Sequence, residues 1–519
     1  MDTAATIAAT FVARCAGDGL RPDPALRLLE YRTEGVSAVE GDESLGEVHE
    51  RLTSGAERRS RGAWYTPAWL AEDLVRRAVT VPGIVADPAC GGGVFLLAAA
   101  DRLEALGESP NRIVGDLLWG ADIDPLAVAV AEADLWRWSA MRGAPTVPAG
   151  RLVTGDALVD VRIPPVSAVV GNPPFLGQLK SSTSSTAERR EALHARWGAA
   201  MQPYTDLAWL FLLAAVEAVE DGGSVALVMP QSLLAARDAA AILERIDERA
   251  ALAECWVDDG RAFAAAVDVC APVLRAGPPA GDAHDNDWLG PAAEALGVPH
   301  VELGGSVRLG DRAVVHAGFR DEYYGLVDAV HEGGSGPRLV TSGAIDPLRI
   351  TDVPVRFAKR RWADPAVDVT AATGRAARWL EVQAGPKLIV ASQTKVLEAL
   401  VDTDGSLVAG VPAIVVRPHD NSDLWHLAAA LHAPATSAWM LRRTAGTALS
   451  SDACKPTAAL LADLPLPVDR AQWDDAAELA ESVAGGDDRW EEFAAAADAS
   501  YGIDDAELRR WWLGRLPLR

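Results

Sequence analysis

Through the first half of the chain, short apolar runs alternate with longer stretches in which apolar residues recur at helical spacing. The runs at 82–86, 117–122, 151–154 and 166–171 read as strands, with helices predicted from Val94 and over 126–138. The pattern continues with a helix over 204–220, a strand over 224–229 closed by Pro230, a helix over 232–249 and strands over 251–257 and 267–275. Strands alternating with helices of this length predict an α/β fold with a doubly wound, mostly parallel, Rossmann-like sheet over 52–276. Residues 1–51, with Ile7, Phe11, Leu26, Leu28 and Leu29 as apolar positions, read as an N-terminal helical extension packed on that domain. Beyond a linker rich in Gly, Pro and Asp at 277–289 the alternation is lost. Strands are predicted at 386–391 and 411–416 and a helix pair over 424–443, so 290–467 reads as a mixed α+β domain and 468–519 as an acidic helical tail.

The polar residues that interrupt this pattern fall at strand ends. Asp87-Pro88-Ala89-Cys90-Gly91-Gly92-Gly93 joins the first strand to a helix, a strand, glycine loop and helix in which the backbone approaches a ligand closely and the helix start offers free N–H groups. The second strand ends in Asp122-Ile123-Asp124-Pro125; an acid at this tip is placed for ribose hydroxyls, whereas Asp124 reads as the cap of the helix that Pro125 opens. The third tip is Gly155-Asp156. The fourth is Asn172-Pro173-Pro174-Phe175. There the Asn172 amide oxygen and the Pro173 carbonyl accept hydrogen bonds from a planar amino group, and Phe175 supplies an aromatic face. Cys90 reads as a small packed residue of the glycine loop.

Taken with Tyr65-Thr66-Pro67, this series resembles that of the S-adenosylmethionine-dependent DNA adenine-N6 methyltransferases. It is most similar to the branch in which the cofactor motifs come first and a C-terminal target-recognition domain follows, as in restriction-modification and phage-defence systems. The resemblance is close over the first half of the chain and holds only in outline beyond it. It implies S-adenosylmethionine as cofactor, with Thr66 near its methionine carboxylate, Asp87, Ala89 and Gly91 in the glycine loop, Asp122 on the ribose and Asp156 on the adenine amino group. Asn172, Pro173 and Phe175 would be catalytic, acting on an adenine flipped out of double-stranded DNA. Phe263 resembles the aromatic on the other face of the base, although a core phenylalanine fits as well. No general base or metal is required, because orientation and fixed dipoles do the work. The nine histidines show no ligand spacing.

Charge changes the picture only locally. A net charge of −25 speaks against phosphate binding, yet 349–395 holds nine bases against four acids, Lys359-Arg360-Arg361 at its centre. That stripe, with Gln393 and Lys395 after a predicted strand, reads as the DNA-contacting part of 290–467, a solvated face and a buried structural glutamine being the plain alternatives. Five scattered cysteines without a CxxC pair suggest neither a disulfide framework nor structural zinc. With no basic leader and no apolar run of membrane length, the expectation is a cytoplasmic protein without a membrane partner. None of the five lysines follows an acid at the offset of a PD-(D/E)xK nuclease, so any restriction or defence activity is expected from separate proteins. An RNA or cytosine-N4 methyltransferase, or a DNA-recognition subunit with little turnover, are the competing readings.

Overall fold

Apolar strands too short to bury both faces alone are assembled into one eight-stranded sheet. In the computed structural model these are β1 (Val85–Asp87), β2 (Leu118–Asp122), β3 (Leu152–Thr154), β4 (Val166–Gly171), β5 (Val219–Leu227), β6 (Met229–Pro230), β7 (Ala250–Val257) and β8 (Val269–Ala276). Residues 2–41, 43–53, 66–175, 187–201, 206–231, 240–258, 269–277, 288–318, 320–334, 336–445 and 453–517 are described. The chain divides into two compact units, Met1–Ala292 and Ala293–Arg519.

The sheet order is β3-β2-β1-β4-β5-β8-β6, with β7 paired to β8. The first five strands are parallel, and β8 runs antiparallel to β5, β6 and β7. The chain therefore winds outward from β1 to β3 and then crosses back to β4 on the other side of β1. The C-terminal ends of β1 and β4 form the switch point at which such sheets open a crevice. Helices Val94–Ala105 and Pro125–Met141 bury Phe95, Leu96, Leu103, Val128 and Leu135 in the core of this unit.

The doubly wound sheet agrees with the pattern, and its edges shift. The helix predicted over 204–220 spans Leu207–Ala218, with Asp206 accepting from Ala208 N at 3.0 Å. The next strand starts at Val219 and not at Ser224, because the chain runs through Asp221-Gly222-Gly223 with a register slip opposite β4 between Val166 and Ala168. The N-terminal extension forms helices Thr3–Gly17 and Leu45–Leu52, and its apolar residues Ile7, Phe11, Leu26 and Leu28 pack against Val130 and Trp136 of helix Pro125–Met141. Arg27 fixes that contact: its N–H and guanidinium donate to the Glu132 carboxylate at 2.8–3.1 Å.

In the second unit the strands are shorter. One sheet has the order β10 (Val330–Glu332), β16 (Pro365–Val367), β11 (Arg338–Val340), β19 (Leu407–Ala409). Another has the order β18 (Ala399–Asp402), β17 (Lys387–Val390), β20 (Ile414–Pro418), β9 (Ala313–Ala317). Two hairpins complete it, β12 (Ile345–Asp346) with β13 (Arg349–Ile350) and β14 (Val355–Phe357) with β15 (Arg360–Trp362). The strand predicted at 411–416 begins at Ile414, since Pro412 has no N–H to give a ladder. The predicted helix pair is Leu424–His432 and Pro434–Thr444. The tail folds as helices Arg470–Ala484, Trp490–Ser500 and Ala506–Leu513, and the indole of Trp473 donates to His426 O at 2.7 Å. A fully buried ion pair, Lys387 Nζ with Asp402, spans β17 and β18 at directly opposed positions.

Candidate active site

The residues singled out at the strand ends of the first unit lie along the C-terminal edge of β3-β2-β1-β4, with Asp87 and Asn172 flanking the switch point. Asp87, at the end of β1, is 1% exposed and accepts from Ala89 N at 3.0 Å. Burial pushes its carboxyl up to about 8, the Ala89 N–H pulls the other way, and the charge of Asp122 adds to the rise. At the end of β2, Asp122 Oδ2 accepts from Gly91 N at 2.9 Å and its Oδ1 from Asp124 N at 2.9 Å, so one carboxylate holds the glycine loop to the next strand. Asp124 in turn accepts from Leu126 N at 3.0 Å and caps the helix.

The loop glycines differ in what they make possible. Gly91 has φ 50° and a Cβ there would meet nothing within 4 Å, so open space lies against its backbone. Gly92 has the opposite surroundings: its Cβ would fall 2.5 Å from Gly46 Cα. The start of helix Leu45–Leu52 is thereby seated on the loop, and Asp134 Oδ2 accepts from Leu45 N at 3.0 Å beside it.

Asn172 follows β4 directly. Its Nδ2 donates to Thr66 Oγ1 at 3.0 Å, which makes Oδ1 the accepting end of the amide. Gly171, before it, lets β4 approach β1: a Cβ there would lie 2.5 Å from Asp87 Oδ1. Pro173 is buried, and Phe175 is half-buried against the core of this unit. Thr66, expected at a cofactor carboxylate, thus also touches the residue expected to bind the base. Asp156, at the end of β3, is engaged by a residue that the sequence reading missed. Arg189 Nε donates to its Oδ2 at 2.7 Å while its Oδ1 accepts from Leu158 N at 2.9 Å. Arg196 and Trp197 of the same helix, Ala187–Trp197, donate to Ala157 O and Leu158 O. Nothing in a polar, serine-rich stretch marks Arg189 as a partner of Asp156. Phe263 and Tyr65 lie outside the described residues.

In the second unit, Lys359, Arg360 and Arg361 lie together on one hairpin. Phe357 and Arg360 are paired, so Ala358 (φ 52°) and Lys359 (φ 61°) alone form the turn, both left-handed, as a two-residue type I′ connection requires. Arg356 and Arg361 stand directly opposite each other on the exposed face, and Arg360 lies over the Trp362 ring at 4.6 Å. Among the described residues none of these four cations makes an ion pair. A recess of about 320 Å³ is lined by Tyr323 and residues 356–361. Gln393 and Lys395 lie elsewhere, in the loop between β17 and β18. Gln393 has φ 68° and its N–H donates to Cys454 O at 2.9 Å, while Lys395 O accepts from Arg515 Nε at 3.1 Å. Among the described residues no helix is long and apolar enough to cross a membrane, and no group of three or more His, Cys, Asp or Glu is placed to hold a metal ion.

Comparison with known proteins bears on this arrangement. A family profile described as N-6 DNA Methylase matches residues 40–251. The methylase subunit of type I restriction enzyme MjaIX from Methanocaldococcus jannaschii is 31% identical over 148 residues, 28% of this chain, and the aligned stretch spans 24% of that subunit's length. Among solved structures, the type IIL restriction-modification enzyme MmeI in complex with DNA superposes with a TM-score of 0.55 at 13% identity, covering 94% of this chain and 82% of that one. The type IIG restriction endonuclease BpuSI gives a TM-score of 0.40 at 13% identity, over 99% of this chain and 77% of that one. The likeness to MmeI is one of fold. Residues 40–251, which match the N-6 DNA methylase profile, contain every strand tip described above.

Proposed function

We propose that this chain transfers a methyl group from S-adenosylmethionine to the N6 amino group of an adenine flipped out of double-stranded DNA, as the modification component of a restriction-modification or phage-defence system. The observation that carries the reading is Asn172, set at the switch point with its amide oriented by Thr66, one residue beyond the glycine that brings β4 against Asp87.

The first unit fits the cofactor. Open space at Gly91 and the acceptor carboxylates of Asp87, Asp122 and Asp156 on neighbouring strand tips suit a molecule that carries an ammonium, two ribose hydroxyls and an aminopurine. When bound, S-adenosylmethionine supplies a methyl group on a sulfonium. Asn172 Oδ1 and the Pro173 carbonyl would accept the two amino hydrogens and draw the N–H bonds out of the ring plane, so that the nitrogen lone pair is freed from conjugation and faces that methyl; the N–C bond would form as the S–C bond breaks, and the nitrogen would give one proton to water. Phe175 offers the base a stacking surface that offsets part of the few kcal/mol spent on unstacking. A dry, pre-shaped site makes these fixed acceptors effective.

Target recognition falls to 290–467. The four cations of the β14–β15 hairpin, which make no ion pair among the described residues, support it as a phosphate contact, and Gln393 and Lys395 are candidates for a second contact. The substitution Asn172→Ala tests the core of the reading. It keeps the fold and cofactor affinity and loses methyl transfer to DNA, followed with tritiated cofactor; full activity in the folded variant would overturn the assignment.

A further inference from the structure

Gln231 is the one side chain of the described residues with both a donor and an acceptor buried and unpartnered. It is 1% exposed, and neither Oε1 nor Nε2 has a hydrogen-bond partner. A buried amide left in this state costs about 1–3 kcal/mol per unmade bond and calls for an explanation.

Its place in the sheet supplies one. Gly171 pairs with Leu227, and Val228 N donates to Gly171 O at 2.9 Å. Three residues on, past the two-residue strand β6, which pairs with β8, the chain reaches Gln231, beyond the C-terminal end of β5, the strand that neighbours β4. The cofactor-side carboxylates Asp87, Asp122 and Asp156 end β1, β2 and β3, all on the other side of β4. Along the strand order Gln231 thus follows strands on the side of β4 away from the three carboxylates.

We propose that Gln231 binds the acceptor base, its Nε2 donating to the ring nitrogen beside the exocyclic amino group, adenine N1, with Oε1 as a second acceptor sharing the nearer of the two amino hydrogens. This rests on the methyltransferase reading above. A carboxamide presents an oxygen and an N–H side by side, the complement of the amino and ring nitrogens on the Watson–Crick edge of an aminobase. Asn172 and Pro173 present only acceptors to the amino group, so a separate donor is needed to fix the rotation of the ring in its own plane. The orphaned amide then becomes satisfied only when the base is in place, which directs its binding contribution to a correctly seated substrate.

The test pairs a residue with an atom. Gln231→Met keeps the side-chain volume and removes both polar groups, and 1-deazaadenine at the target position removes only N1. Methyl transfer is measured on duplexes carrying the site identified by sequencing methylated host DNA. The variant on adenine and the wild type on 1-deazaadenine each lose about 10- to 100-fold in kcat/KM, the worth of one to two buried hydrogen bonds. The variant loses nothing further on 1-deazaadenine, its melting temperature is not lowered, and its affinity for S-adenosylmethionine is unchanged. Wild-type activity in the variant, a full-size 1-deazaadenine penalty that persists in it, or no penalty for the wild type on 1-deazaadenine overturns the role of Gln231 while leaving the methyltransferase reading intact. Absence of transfer by the wild type to any DNA removes both.

Discussion

Replacing Gly171 by alanine should disable the site without replacing any side chain assigned to cofactor or base. The added Cβ would lie 2.5 Å from Asp87 Oδ1 and 3.1 Å from its Cγ. A carbon and an oxygen ordinarily approach to about 3.3 Å, so roughly 0.8 Å has to be found by moving β4 or Asp87. Asp87 has little room, being 1% exposed and held by the Ala89 N–H. Overpacking of this kind costs about 1–3 kcal/mol, and the φ of 154° at Gly171, unsuited to a side chain, adds about 1 kcal/mol more. Asn172 is the next residue, and a displacement approaching 1 Å at a reacting group lowers rates by about 100-fold. Thermal melts and single-turnover methyl transfer measure the two losses. Gly222→Ala on β5 is the control: its φ is 81°, nothing lies within 4 Å of the new Cβ, and only the backbone strain remains. Combining Gly171→Ala with Asp87→Ala removes the clash partner, so the double variant should be more stable than the summed single losses by about 1 kcal/mol or more. A Gly171→Ala protein as stable and active as the wild type, or strict additivity in the double variant, would refute the packing argument.

Other expectations follow from the same geometry. Asp122→Asn, which keeps the shape and removes the charge, should weaken S-adenosylmethionine binding by about 1.5–3 kcal/mol through loss of charge-assisted bonds to ribose, as read by calorimetry; unchanged affinity would move the ribose role to another acid. Asp87 holds its proton up to about pH 8, well above the usual carboxylate range. Its unfolded form ionises first, so its contribution to stability of the unliganded protein falls as pH rises from about 4 to about 8. A cationic cofactor favours the carboxylate, so binding should release a proton and tighten toward pH 8, with a shallower slope for S-adenosylhomocysteine, which keeps the ammonium but lacks the sulfonium charge; calorimetry in buffers of different ionisation enthalpy detects the proton, and binding with no proton release would sink the idea. Replacing Arg356, Lys359, Arg360 and Arg361 by glutamine should weaken binding to all DNA sequences and reduce the slope of log affinity against log salt by about 3–4. A slope that does not change would place the phosphate contacts elsewhere.

How much of this was readable beforehand depended on how strongly a residue interrupts its local pattern. Asp87, Asp122, Asp156 and Asn172 break apolar runs at strand ends, and their placement along one edge of the doubly wound sheet follows from topology alone. The β14–β15 hairpin gave no such signal. Its turn is Ala358-Lys359 and not the glycine or asparagine that left-handed dihedrals favour, and strands of three residues show no period. In the sequence Arg356 is therefore one base among nine, with nothing to mark it as the cross-strand partner of Arg361. The hold of Arg189 on Asp156 spans 33 positions between a strand tip and a helix, and no spacing rule encodes it. The boundaries of β5 moved because pairing with β4 outweighed the turn propensity of Asp221-Gly222-Gly223.

The contact between Gly46 and Gly92 makes the N-terminal extension a thermodynamic partner of the glycine loop. Two backbones meeting without side chains have no slack, so the loop conformation that suits a ligand and the seating of helix Leu45–Leu52 stabilise each other or fail together. Such coupling is reciprocal: whatever orders the loop orders the first fifty residues, and whatever unseats those residues loosens the grip on ligand by the same free energy. Protection of that segment from protease or hydrogen exchange then becomes a gauge of cofactor occupancy, readable without any DNA.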